Sequence, residues 1–322
     1  MAGPGPALPL NAFHSPAPVL SVSPVTLSVP GRPVDLELRV SAPVTGTGLP
    51  VVLLSHGHGP SNHLSSLNGY APLAHFWAAH GFVVLQPTHL NSATLSHLVA
   101  DDPGAPLFWR SRAEDMRHIL DRLDLIEEAV PQLAGRVDHD RVAVVGHSLG
   151  GHTASLLLGA RLTDPDDGRV VDLLEPRIRA GVLLAAPGRG GDALNGPRAD
   201  LVSAFRTSDF STMITPALVV AGDQDDSRHF TDLGPEWHAD PYALAPAPKT
   251  LLTLFGAEHG LGGVAGYDAA ETTDEDPGRV AALQWLTWGY LRSQLRPGDA
   301  AWQTVRDALT RRADPVGRVE CK

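Results

Sequence analysis

A chain of 322 residues, 43% of them hydrophobic, is long enough to bury a sizeable core. Its net charge of −11 argues against nucleic-acid binding, which needs a basic face, and against adhesion to anionic membrane surfaces. The one cysteine, Cys321, excludes an intrachain disulfide and leaves no thiolate set for a metal.

Residues 1–18 are rich in Pro, Gly and Ala and read as a loose N-terminal arm. They lack the charged and continuous apolar regions of a signal peptide, and no apolar stretch nears the roughly 18 residues of a membrane span. A cytoplasmic protein is therefore expected. Two stretches with strand character follow, "VLSVSPVTLSV" and "VDLELRV", on either side of the turn "PGRP". The second alternates, with Val34, Leu36, Leu38 and Val40 on one face.

Continuous apolar runs then alternate with helical segments. "PVVLLSHG" (50–57) precedes a helix over 70–81 that stops at a glycine, and "FVVLQPTH" (82–89) follows. Met116, Ile119, Leu120, Leu123 and Ile126 give 111–130 helical spacing. "RVAVVGHS" (141–148) leads into helical "GGHTASLLLGAR". Strand-like runs recur at 180–188, 216–226 and 250–260, and a helix over 277–295 closes the pattern. Such alternation predicts an α/β fold: a mostly parallel central sheet with helices on both faces. The expected organisation is one domain, 19–295, with a C-terminal extension, 296–322, and no internal repeat. Loops at 90–110, 161–178 and 227–248 should border the carboxyl edge of the strands, where ligands bind in open α/β sheets.

"GHSLGG" (146–151) matches Gly-x-Ser-x-Gly once, between a strand and a helix. That context suits a nucleophile elbow, a turn so tight that bulky residues at Gly146 and Gly150 would clash. The helix N-terminus beneath Ser148 offers partial positive charge to a developing oxyanion. The competing role for Ser148 is a simple helix cap.

A serine hydroxyl needs a base oriented by an acid. Among 15 histidines, position decides. His259 follows the last expected strand, in "GAEHG", and is the candidate base. The acid is expected in "DQDD", after "PALVVAG". Asp225 is favoured, Asp226 stands second, and Asp223 reads as a turn carboxylate. The backbone N–H groups of Leu149 and His58 are the candidate oxyanion donors, His58 lying between glycines in "SHGHG". His56 and His58, spaced i, i+2 without a nearby carboxylate, are weak metal ligands, and His56 is expected to hydrogen-bond within its loop.

Together "SHG-x-G", the helix after it, "HGFVVLQPTH", "GHSLGGHTA", the "DQDD" loop and "GAEHG" resemble the α/β-hydrolase superfamily over roughly residues 20–295. More narrowly the chain resembles the branch of chlorophyllases, platelet-activating-factor acetylhydrolase-like enzymes, cutinase-like polyester hydrolases and predicted dienelactone hydrolases. The resemblance implies a carboxylic ester hydrolase working through an acyl-serine intermediate on a small-molecule ester, with no metal or organic cofactor. Dienelactone hydrolases proper use a cysteine nucleophile where this chain has Ser148, so no named substrate is assigned. An acyltransferase or amidase on the same triad, and a non-catalytic binding protein, are the competing readings. Oligomeric state is left open.

Phe108, Trp109, Phe210, Met213 and Trp237 fall in loops near the expected catalytic edge and are candidates for lining an ester pocket, with packing as their competing role. Gly188–Ala193 fits Gly-x-Gly-x-x-Ala, but "LNGPRAD" is a poor helix start for a dinucleotide site, so the segment is expected to line the acyl pocket. "ETTDED" (271–276) reads as a solvated loop. Trp285 and Trp288 read as core or subunit-contact residues.

Overall fold

The apolar runs become strands in a computed structural model that describes residues 15–266 and 269–322. Residues 1–14, most of the expected N-terminal arm, lie outside the described residues. The strands are β1 (Val19–Leu27), β2 (Leu36–Pro43), β3 (Leu49–Ser55), β4 (Val83–Pro87), β5 (Val137–His147), β6 (Arg161–Thr163), β7 (Val170–Asp172), β8 (Ile178–Leu184), β9 (Ala217–Gly222), β10 (Lys249–Leu254) and β11 (Gly317–Cys321). Nine of them form one sheet in the order β1-β2-β4-β3-β5-β8-β9-β10-β11, and β6 pairs separately with β7. From β4 through β10 the neighbours are parallel. Antiparallel pairs occur only toward the two edges of this sheet. The helices are α1 (Ala71–Ala79), α2 (Trp109–Leu120), α3 (Leu123–Ala129), α4 (Leu149–Leu157), α5 (Asp240–Ala243), α6 (Pro277–Leu295) and α7 (Ala301–Thr310). The mostly parallel sheet with helices around it is the expected α/β architecture.

Both faces of the central strands are buried, which explains why β3, β4 and β9 read as unbroken apolar runs, while the edge strands β1 and β2 alternate. Successive side chains point to opposite faces. Val51, Leu53, Val142 and Val144 join one core with Met116 and Ile119 of α2 and Leu156 of α4. Val52, Leu54, Ala143 and Val145 join the other with Trp77 of α1 and Leu283 and Leu286 of α6. Each fully buried Val or Leu contributes about 1.5–3 kcal/mol. Trp288 is buried in the second core, and Trp285 meets Phe76 edge-on at 4.9 Å, so both serve the packing of α6 on α1.

Three segments differ from expectation. The helix expected over 111–130 breaks between α2 and α3, because Arg122 leaves helical dihedrals (φ −129°, ψ 21°); Leu123 and Ile126 are nonetheless buried. Part of the 161–178 loop is the β6–β7 hairpin. Residues 296–322 supply α7 and β11, and β11 adds an antiparallel edge to β10. No helix among the described residues is long and apolar enough to cross a membrane.

Candidate active site

The carboxyl ends of β3, β5, β9 and β10 bring His58, Ser148, Asp225 and His259 to one edge of the sheet. Ser148 holds φ 55° and ψ −122°, a region that side-chain-bearing residues rarely occupy, and α4 starts immediately after it. Backbone strain of this kind costs of order 1–3 kcal/mol and persists only when its surroundings enforce it. Here they do. A Cβ on Gly146 would lie 1.9 Å from the Gly150 carbonyl oxygen, and one on Gly150 would lie 2.1 Å from that of Ser55. The two glycines let β5, α4 and β3 close around the turn, leaving Ser148 partly exposed between buried neighbours.

Ser148 Oγ donates to His259 Nε2 at 2.8 Å. His259 Nδ1 donates to Asp225, at 2.9 Å to Oδ2 and 3.1 Å to Oδ1. Asp225 reaches His259 because the loops after β9 and β10 are stitched together: Asp223 N donates to Leu254 O and Gln224 N to Ala257 O, both at 3.0 Å. Asp223 accepts from Gly256 N at 2.7 Å, so its carboxylate joins the two loops instead of capping its own turn as expected. Asp226 pairs instead with Arg228 on the surface. The protein packed around the His259 ring would by itself lower its pKa, although 42% of the side chain faces solvent. The charge and hydrogen bond of Asp225, helped by Asp274, outweigh this and hold His259 above its ordinary value. Burial would raise Asp225, but His259 and His238 hold it well below the usual carboxylate range.

The backbone N–H groups of His58 and Leu149 donate to no other protein group among the described residues. Both residues line a cavity with Ser148. His56 Nδ1 donates to Gly57 O at 2.6 Å, within its loop as expected, and its Nε2 accepts from His89 N at 3.0 Å, in the loop after β4. Burial, with the nearby Arg112 cation, keeps His56 well below its ordinary value and therefore neutral.

Several residues that carry no motif complete the site. Gly57 N donates to the Tyr70 hydroxyl at 2.9 Å, and that hydroxyl donates to His147 Nδ1 at 2.8 Å. His147 Nε2 then donates to His259 O at 2.7 Å. Burial pushes His147 down to about 3, so one nitrogen accepts while the other donates, as this chain of bonds requires. The loop of His58 is thus tied to the backbone of His259 through the neighbour of Ser148. His238, fully buried, contacts Asp225 Oδ1 at 3.3 Å and bridges Ser227 Oγ (2.9 Å) to Ala186 O (3.0 Å). The acidic run 271–276 is not merely a solvated loop. Asp274, its carboxylate buried, accepts from Glu258 N and Gly262 N, each at 2.9 Å, on either side of His259. Glu271 accepts from Ser61 N at 2.8 Å.

A cavity of about 270 Å³ beside Ser148 has an apolar lining that includes Leu107, Leu149, Val202, Phe205, Phe230 and Trp237. A more polar groove of about 620 Å³ runs past Asn62, Asn91, Ser96 and Glu271. Ser148, His58, Arg198, Phe230 and His259 line both. Of the five expected pocket residues only Trp237 is in this lining. Phe108 and Trp109 line a separate cavity of about 520 Å³, because the left-handed turn at Phe108 (φ 51°) sets its ring against Leu90 and Val99. Phe210 and Met213 are buried in the core, their segment pinned where Asp209 and Arg161 exchange backbone hydrogen bonds. Gly188–Ala193 also misses the cavity, whose wall is formed by Pro187 and residues of the 3-10 segment Ala199–Thr207. The spacing of Val202 and Phe205 was the available signal for that wall.

Ligand atoms of Asp225, His238 and His259 lie within 4.8 Å of one another, as in a metal cluster. Their hydrogen bonds already spend His259 Nδ1 on Asp225 and both His238 nitrogens on Ala186 and Ser227. A second group, Asp124, Glu127 and His139, is a partly exposed surface cluster.

No family model matches the chain. A curated relative, the platelet-activating factor acetylhydrolase of Cavia porcellus, is 28% identical over 142 residues, with 34% of this chain and 31% of that protein covered. The chain spans about a third of the length of the curated relative it matches.

Proposed function

We propose that the chain is a serine hydrolase that cleaves carboxylic esters through an acyl-serine intermediate. The observation that carries this reading is the unbroken hydrogen-bond chain from Ser148 Oγ through His259 to Asp225, opening on an apolar cavity. Ser148 Oγ attacks the ester carbonyl while His259 Nε2 takes its proton. The negative charge that develops on the carbonyl oxygen is met by the N–H of Leu149, at the N-terminus of α4, and by that of His58, in the loop after β3. Asp225 stabilises the imidazolium and holds its tautomer. The C–O bond then breaks, His259 returns the proton to the leaving alcohol, and the acyl group stays on Ser148. Water repeats the sequence in reverse, releasing the acid and restoring the hydroxyl.

The apolar cavity and the polar groove that meet at Ser148 support one arrangement of the substrate. The leaving alcohol takes its proton from His259 and is replaced by water on the same side, so it belongs in the polar groove. The acyl group, which must stay bound while water enters, belongs in the apolar lobe. The name of the distant relative, an acetylhydrolase, agrees with ester cleavage in general.

Purified protein should hydrolyse short p-nitrophenyl esters and react with a fluorophosphonate probe at Ser148. Ser148→Ala should lose both signals while its circular dichroism and melting temperature stay near wild type. Wild-type protein inert in both assays ends the hydrolase reading. Diversion of most acyl product to an added alcohol or amine, in competition with water, would mark a transferase instead.

A further inference from the structure

Arg112, on α2, is fully buried yet makes no ion pair among the described residues. Asp115, the acid whose charge acts on it, is occupied by Arg32 at 3.0 Å and His89 at 2.8 Å. The guanidinium instead faces neutral acceptors only. Nε donates to Thr153 Oγ1 at 2.9 Å, Nη1 to Asn91 Oδ1, and Nη2 to both His56 O and Ser55 Oγ, the last at 3.0 Å. Burial lowers its pKa to about 9, which leaves it a cation at neutral pH.

Burying an unpaired charge is costly, and an apolar side chain would fill the same space without that penalty. The partners suggest what offsets the cost. Thr153 Oγ1 donates to Leu149 O at 3.1 Å, and Asn91 Nδ2 donates to His58 Nδ1 at 3.2 Å. His56 O belongs to the peptide segment that leads into His58. One planar fork therefore reaches both candidate oxyanion donors: His58 through Asn91 and the loop backbone, Leu149 through Thr153. The charge is also felt there, since after burial it is the next cause holding His56 and His58 below their ordinary values.

We infer that Arg112 is a positioning residue for the oxyanion hole, fixing the spacing of the His58 and Leu149 N–H groups and keeping positive charge behind the point where the oxyanion forms. This rests on the ester-hydrolase reading, and the wild-type rate tests that reading separately. A preorganised cation of this kind acts on the transition state and leaves ground-state binding alone.

The test compares Arg112→Met and Arg112→Lys with wild type. It measures kcat and KM for p-nitrophenyl butyrate, the Ki of phenylboronic acid, whose serine adduct is a tetrahedral anion, and the melting temperature. Arg112→Met should lose about 100-fold in kcat with KM within about twofold, and the boronate Ki should rise in parallel. Arg112→Lys keeps the charge without the fork and should fall between the two. Should the methionine variant not fold, the lysine variant decides, with an expected loss of about 10-fold in kcat and the same weakening of boronate binding. Variants that melt earlier but keep wild-type kcat and boronate Ki would show that Arg112 only braces the fold, and the inference would be overturned. Wild-type protein without esterase activity would instead count against the function proposed above.

Discussion

In the proposed mechanism His259 acts as a base only while neutral, so its raised pKa has a direct kinetic consequence. Asp225 and Asp274 stabilise the protonated ring by more than burial destabilises it. Activity should therefore be lost on acidification through a pKa above the ordinary 6.5, and the acid limb of kcat/KM should lie above that value. Asp225→Asn removes the charge that raises His259. The limb should then move to lower pH while kcat falls about 10⁴-fold, since the amide also supports the wrong tautomer. A pH–rate profile of both proteins checks this, and a limb that stays put in Asp225→Asn would mean that another group is being titrated. Ser148 and His259 were legible in the sequence because each sits at a fixed place relative to a strand end. Asp225 was legible only as one of three carboxylates, since choosing among them needs the stitching between the β9 and β10 loops. Tyr70, His147, Arg112 and His238 had no local signature. Their meaning lies in partners between 11 and 112 residues away.

Elements set the precision of the site. The strands were readable because a sheet covered on both faces demands unbroken apolar runs, and the elbow was readable because its glycines have a steric cause. The α2–α3 break and the pairing of β11 with β10 were not, for each depends on contacts between distant segments. The run 271–276 shows the limit best, since its composition says solvated loop while one of its carboxylates is buried as a clamp. Asp274 accepts the N–H groups of Glu258 and Gly262 and so grips both ends of the turn that carries His259. Hydrogen bonds to a charged group contribute about 1.5–3 kcal/mol each. Asp274→Ala should lower the melting temperature by several degrees and kcat by roughly 10-fold, because a displaced base loses alignment with Ser148. Asp274→Asn, which retains one acceptor, should recover part of both. Thermal melts run beside steady-state kinetics would check this, and unchanged values in the alanine variant would contradict the clamp.

At the scale of the whole molecule, the proposed acyl lobe is built from loops far apart in the chain. Leu107 comes from the segment after β4, Leu149 from the elbow, Val202 and Phe205 from the segment after β8, and Phe230 and Trp237 from the segment after β9. No window of sequence contains that surface, which is why Phe108 and Trp109 line a separate cavity although Leu107 beside them lines the one next to Ser148. A lobe of about 270 Å³ is at the small end for ligand pockets, which run to about 300–1,000 Å³, so it should accept a short to medium acyl chain and exclude a long one. Across p-nitrophenyl esters of increasing acyl length, kcat/KM should rise while added methylenes are buried, at up to about 0.8 kcal/mol each, and then fall once the lobe is full. Val202→Phe narrows the lobe and should move the optimum to shorter chains while leaving the acetate ester within about threefold of wild type, because its acyl group ends before that wall. General destabilisation would lower every ester alike, so the shift of the optimum is the measurement that matters. An optimum unchanged by Val202→Phe would mean that the acyl chain lies in the polar groove instead, and that the two halves of the substrate are bound the other way round.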